Sequence, residues 1–154
     1  RIQAGDVIVL MCRGPMGSGM EEIYAITSAL RYLEFGKHVA VITDARFSGV
    51  STGACIGHAT PEALAGGAIG KIREGDSIQI AIDRVRLDGS VNLVIDGSVE
   101  EGTRVLSGRP TPSNLASDRA LPADTRLWAA LQDASGRTWG GRVSDVGALV
   151  THPR

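Results

Sequence analysis

Two short apolar runs, DVIVLMC at residues 6–12 and HVAVIT at 38–43, bracket a single amphipathic stretch, and that order constrains the fold more than any other feature. Both runs are rich in β-branched residues and predict strands; HVAVIT, with little polar alternation, predicts one buried on both faces. RGPMGSG at 13–19 predicts a loop incompatible with either regular structure. From Met20, apolar residues recur at Ile23, Ile26, Leu30 and Leu33, a helical spacing with Gly36 as a stop. Strand, loop, helix and strand make a βαβ-like unit, for which a right-handed crossover is strongly preferred.

After HVAVIT the chain spends residues 44–59 on small, polar and glycine-rich positions. Thr60 and Pro61 then predict the cap and first position of a short helix ended by Gly66 and Gly67. SIQIAID at 77–83 and VNLVI at 91–95 alternate as antiparallel or mixed strands, with Asp88-Gly89 as turn chemistry between RVRL and the second run. Residues 97–123, rich in Gly, Ser, Pro and Arg, read as an extended connection before a helix at 124–134. The fold class is mixed α/β.

With 154 residues, 43% of them hydrophobic, the chain can close one core and fits one domain. Its 16 basic and 17 acidic residues nearly cancel, which lacks the electrostatic footprint of nucleic-acid or anionic-membrane binding. No apolar run nears the roughly 20 residues of a membrane span, and no secretory pattern opens the chain, so a soluble cytoplasmic protein is expected. Cys12 and Cys55 fit neither a CxxC nor a zinc spacing and are expected to be buried, reduced thiols. The first residue is Arg and a strand follows almost at once, which suggests a chain cut from something longer.

GPMGSGMEE stands where a phosphate loop would, yet it has neither GxGxxG nor a lysine after the glycines, and Glu21 and Glu22 would repel an anion. Two carboxylates there either offset a helix dipole or supply a ligand to a hard cation such as Mg²⁺. Asp44, Arg46 and Ser48 follow the HVAVIT strand, beyond whose carboxyl end ligands bind in open α/β sheets. In the bland alternative, Asp44 pairs with Arg46 while Ser48, Ser51 and Thr52 make side-chain turns. His58 is open to acid, ligand or carrier roles, or to a hydrogen bond in a packed turn. Trp128 and Trp139 read as core or interface anchors.

GPMGSGMEE, ITDARFSG, GHATPEALAGGAIGKIREGDSIQI and IDRVRL together resemble the C-terminal domain of the dihydroxy-acid and sugar-acid dehydratases, over about residues 5–96. LWAALQDASGRTWGG further resembles a branch containing xylonate dehydratases. Ala45 stands where much of that family has Gly, and the first glycine loop is a residue shorter than usual. The resemblance implies a swivelling β/β/α domain, a mixed β-barrel-like sheet flanked by helices, with residues 97–154 as connection and C-terminal helix. It implies partnership with an N-terminal domain that carries the cysteines of an iron-sulfur cluster and most Mg²⁺ ligands, within a homo-oligomer. From this chain it implies Glu22, with Glu21 second, as a Mg²⁺ ligand, Ser48 as the proton-abstracting base, and Arg46 and Ser51 as substrate contacts.

The implied reaction removes a C2 proton and expels a C3 hydroxyl from a 2,3-dihydroxy acid or an aldonate such as xylonate, so the site must stabilise an enolate-like carboxylate and a leaving oxygen. A serine is too weakly acidic to act as a base near neutral pH unless nearby cations stabilise its alkoxide. Glycines 49, 53 and 57 would then let backbone pass close to substrate and cluster. Cys12 and Cys55 are too few for a cluster, so the chain alone is expected to be inactive. Two rivals remain open: a non-catalytic swivelling module that binds or carries a ligand, through phosphorylated His58 for instance, and an aconitase-like isomerase.

Overall fold

The computed structural model describes residues 1–140 and 145–151. The last glycine of LWAALQDASGRTWGG therefore lies outside the described residues. The predicted strands form as β1 (Val7–Leu10) and β2 (Ala40–Thr43), paired in parallel with Val7 opposite Ala40, and β3 (Ala54–Ile56) adds in parallel on the far side of β2. Every residue of β2 is buried. Its side chains alternate: Ile42 joins Cys12, Ala63 and Ile69 in one core, while Val41 joins Leu30 and Val39 in another. Two-sided burial is why the run carries so little polar alternation.

Between β1 and β2 the loop at 13–19 contains a single helical turn, α1 (Pro15–Ser18), with Pro15 at its first position and Gly19 closing it in the left-handed region. Gly17 is required there, because a Cβ would sit 2.0 Å from the Cys12 carbonyl oxygen. The helix expected from Met20 is only α2 (Ala25–Leu30); residues 21–23 are extended and pair with the segment after β2. Gly36 opens a 3-10 turn rather than ending a long helix. The expected helix after Thr60-Pro61 is a 3-10 turn, Ala63–Ala65, because Glu62 is extended with its carboxylate turned inward; the Thr60–Pro61 bond before it is cis.

The second sheet is the hairpin β4 (Ser77–Asp83) and β5 (Asp88–Val94), antiparallel from Ser77 opposite Val94 to Asp83 opposite Asp88. Its turn is not at Asp88-Gly89, which pair within the ladder. Asp83 makes the turn by accepting the Val85 and Arg86 amides at 2.8 and 2.9 Å. Ile78 and Ile80 lean onto the β1–β2 core. The two sheets do not close into a barrel, and among the described residues no helix is long and apolar enough to cross a membrane.

The segment read as a connection contains α3 (Val99–Gly108), capped by Ser98, whose hydroxyl accepts the Glu101 amide at 3.1 Å. Gly102 lets α3 lie on β5: a Cβ there would be 1.9 Å from the Leu93 carbonyl oxygen. Gly102→Ala should therefore cost roughly 1–3 kcal/mol, read as a lowered denaturation midpoint. α4 (Ala123–Ala134) forms as expected and α5 (Val146–Thr151) follows it. Trp128 and Trp139 are 57% and 73% exposed, so neither is a core anchor.

Arg109, just past α3, grips Asp76 with two parallel hydrogen bonds of 2.5 and 2.8 Å. The Arg109 hydrogen bond holds the Asp76 carboxyl below its ordinary value. A carboxylate depressed on folding adds stability above its unfolded pKa of about 4 and loses it as pH falls through the folded value. Asp76→Asn should accordingly lower the melting temperature at pH 7, and the gap from wild type should close as the pH drops below about 4.

Candidate active site

β2 and β3 are parallel neighbours, so the chain leaving Thr43 must return to the start of the sheet by Ala54. It does so through residues 44–53 with no helix, and this loop carries Arg46, Ser48 and Ser51. Asp44 anchors its root. The carboxylate is 1% exposed and accepts the amides of Cys12 at 3.0 Å, Arg13 at 2.9 Å and Ala63 at 3.0 Å. Among the described residues it makes no ion pair with Arg46, as the bland alternative had it; both its oxygens face backbone amides instead.

Arg46 turns the other way. It forms an isolated parallel bridge with Glu22, accepts the Ile23 amide at 2.8 Å, and sends Nε to the Met20 carbonyl at 2.8 Å. Its guanidinium lies 3.8 Å from the Glu22 carboxylate, and both side chains are about half exposed (52% and 41%). Glu22 thus sits in an extended segment at an isolated bridge, not in the first turn of a helix, which removes dipole compensation as its explanation. Glu21 and Glu22 also part company. Glu21 is ion-paired with Arg13, itself held by Asp118 at 3.1 Å, whereas among the described residues Glu22 has the looser, solvent-facing contact with Arg46.

Ser48 comes two residues after the bridge and is half-buried in a tight turn. Its carbonyl accepts the Ser51 amide at 3.0 Å, and its hydroxyl oxygen faces the Val50 amide at 3.4 Å. Ser51 lies 3.4 Å from the hydroxyl of Thr27 on α2, which donates to the Tyr24 carbonyl at 3.0 Å. The loop is therefore tied to the 20–23 segment at one end and to α2 at the other, with Glu22 beside Arg46 and with Ser48 and Ser51 further along the same loop. His58, whose amide bonds to the Ala45 carbonyl at 2.8 Å, is exposed and lines a cavity of about 400 Å³ between the two sheets, with Val9, Ile42, Ile78 and Leu93 in its walls.

The structure also shows a charged residue that sequence reasoning passed over. Glu62 is 1% exposed; both its oxygens lie 3.0 Å from the Met16 amide, and it accepts the Thr138 hydroxyl. Burial pushes its carboxyl up from the ordinary value. No local signal marks it, because its partners Met16 and Thr138 lie 46 and 76 residues away in the chain.

One carboxylate with open solvent beside it suits Mg²⁺, which takes one or two carboxylates together with waters and substrate oxygens. An iron-sulfur cluster fits less well. Cys12 sits in the core and Cys55 in β3, burial raises both thiols, and among the described residues no group of three or more His, Cys, Asp or Glu could hold a metal. Cys12 is buried and Cys55 only partly so, against the expectation for both, and thiols with raised pKa are poor sources of the thiolate that a cluster needs.

A family model described as the dihydroxy-acid/6-phosphogluconate dehydratase C-terminal region matches residues 1–109. The chain belongs to this family. Among the dehydratases it resembles are two D-xylonate dehydratases of Escherichia coli strain K12, YjhG and YagF. YjhG is 56% identical over 97% of this chain and 24% of its own length, and YagF is 54% identical over 97% and 23%. Dihydroxy-acid dehydratase 2 of Corynebacterium efficiens is 46% identical over 67% of the chain and 18% of its own length. The chain thus spans about a quarter of the xylonate dehydratases it matches. As a dehydratase-family chain it has the expected α/β class, without the closed barrel.

Proposed function

We propose that this chain is the C-terminal wall of a hydro-lyase reaction chamber, dehydrating an aldonate such as xylonate, or a 2,3-dihydroxy acid, to a 2-keto acid. The observation that carries the reading is the Glu22–Arg46 bridge, which sets an accessible carboxylate beside the loop that presents the Ser48 hydroxyl. The high identity to two D-xylonate dehydratases favours an aldonate as substrate.

Glu22 would hold Mg²⁺, and an iron-sulfur cluster would be held by residues outside this chain. When bound, the two supply positive charge and Lewis acidity to the substrate carboxylate, the C2 oxygen and the C3 hydroxyl. Ser48 would act as the base, taking the C2 proton on Oγ. The C2–H electrons form the C2–C3 double bond, hydroxide leaves from C3, and the enol gains a proton at C3 to become the 2-keto acid; the net loss is water. Arg46 would orient the substrate's anionic end, and Ser51 would hold the loop and face the substrate. The glycines at 49 and 53 leave open space on this loop, with no atom within 4 Å of the point where a Cβ would stand.

The test is turnover of xylonate by the full-length protein in D₂O. A 2-keto-3-deoxy acid carrying deuterium at C3 is the expected product. An isomer with its hydroxyl moved and no net water loss would replace this reading with the aconitase-like one, and a stable phosphohistidine at residue 58 after exposure to a phosphodonor would favour the carrier.

A further inference from the structure

We infer that Glu62 is a positioning residue whose buried carboxylate clamps the glycine loop at residues 14–19 and thereby holds Glu22 in place for Mg²⁺. The inference rests on the reading of Glu22 as a ligand. The clamp is built from three sides. The two carboxylate oxygens receive the Met16 amide, with the Gly17 amide beside it, and the Thr138 hydroxyl closes the third side. The fit is close enough that only glycine serves at position 14, where a Cβ would lie 2.6 Å from the Glu62 carboxylate.

From this clamp the loop runs to Glu22 through short, directional contacts. The Gly14 carbonyl accepts the Met20 amide at 3.3 Å, and the Met20 carbonyl receives Arg46 Nε, the same guanidinium that faces Glu22. In parallel, Ser18 ties the Arg13 carbonyl at 2.7 Å to the Glu21 amide at 3.1 Å. Gly19 and Met20 both take left-handed φ, of 67° and 68°, so the path from α1 to Glu22 reverses sharply and depends on α1 being held. The neighbouring residue Ala63 gives its amide to Asp44, which roots the Ser48 loop, so one segment braces both the glycine loop and the Ser48 loop.

A glutamine at 62 keeps the shape but removes the negative charge and leaves one acceptor oxygen where there were two facing the Met16 and Gly17 amides. Residues that orient a metal ligand typically control affinity by about 10–100-fold. In the full-length enzyme, Glu62→Gln should weaken Mg²⁺ binding, measured calorimetrically with Mg²⁺ alone, by about tenfold. It should also speed amide hydrogen exchange across residues 14–22 by about tenfold, with protection in β2 unchanged. Unchanged exchange at 20–22 overturns the inference. So does unchanged Mg²⁺ affinity when Glu22→Gln, measured alongside, loses it. Unchanged affinity in both variants sinks the ligand role of Glu22 instead, and the exchange data then decide whether Glu62 holds the loop. If Glu62→Gln does not fold, Thr138→Val, which removes one donor and keeps the carboxylate, must still speed exchange at 14–22; no change there contradicts the clamp.

Discussion

Ser48→Ala in the full-length enzyme is expected to lower kcat by about 10²–10⁴-fold while leaving the fold and Mg²⁺ affinity as they are. The size of the loss follows from the role: a positioned base contributes on that scale, and alanine offers no oxygen to take the C2 proton. The intact fold follows from the contacts. Among the described residues the Ser48 hydroxyl receives a long 3.4 Å approach from the Val50 amide, while the turn is held by the Ser48 carbonyl, which alanine keeps. A stability change within about 0.5 kcal/mol is therefore expected. Single-turnover kinetics with a C2-deuterated substrate supply the check; a variant that dehydrates at the wild-type rate removes Ser48 from the reaction.

Glu22→Gln is the second large effect, and it should fall on the metal. Removing an orienting partner already costs about 10–100-fold in affinity, so loss of the ligand itself should cost at least that much Mg²⁺ affinity. Folding should hardly change, because the pair with Arg46 is 3.8 Å long and solvent-facing, a class of ion pair worth about 0–1 kcal/mol. Activity should then recover in part at high Mg²⁺, which would not happen for Ser48→Ala. Glu21→Gln provides the contrast. Its carboxylate is committed to Arg13, so the expected consequence is a looser loop rather than a lost ligand. Equal Mg²⁺ affinity in wild type and Glu22→Gln would contradict the assignment.

How far the sequence discloses this arrangement depends on whether a signal is local. β1 and β2 are legible because their apolar runs meet cores that form, whereas α4 forms where expected although Leu127 and Trp128 on it stay exposed. The segment after β2 is legible as a loop, since its small, polar and glycine-rich residues suit neither helix nor strand. α3 is missed although Ser98 and Glu101 spell a capping signal; Gly102, Ser107 and Gly108 read as loop, and only the close approach to Leu93 explains a glycine inside that helix. The long helix expected from Met20 fails for a tertiary reason. Ile23 does sit at helical spacing, but its amide bonds to the Arg46 carbonyl, and an edge pairing across more than twenty residues leaves no local trace. Asp44 and Glu62 are illegible for the same reason, because a carboxylate facing buried amides cannot be told from a solvated one until the amides are in place.

The central claim is that one patch of this chain lends a carboxylate and a hydroxyl to a shared cation chamber, and a crystal structure of the full-length enzyme grown with Mg²⁺ tests it most directly. The expected result is Mg²⁺ about 2.0–2.1 Å from a Glu22 carboxylate oxygen, with Ser48 Oγ facing the same cavity. Mg²⁺ held without Glu22, or Ser48 turned toward a different surface, would contradict it.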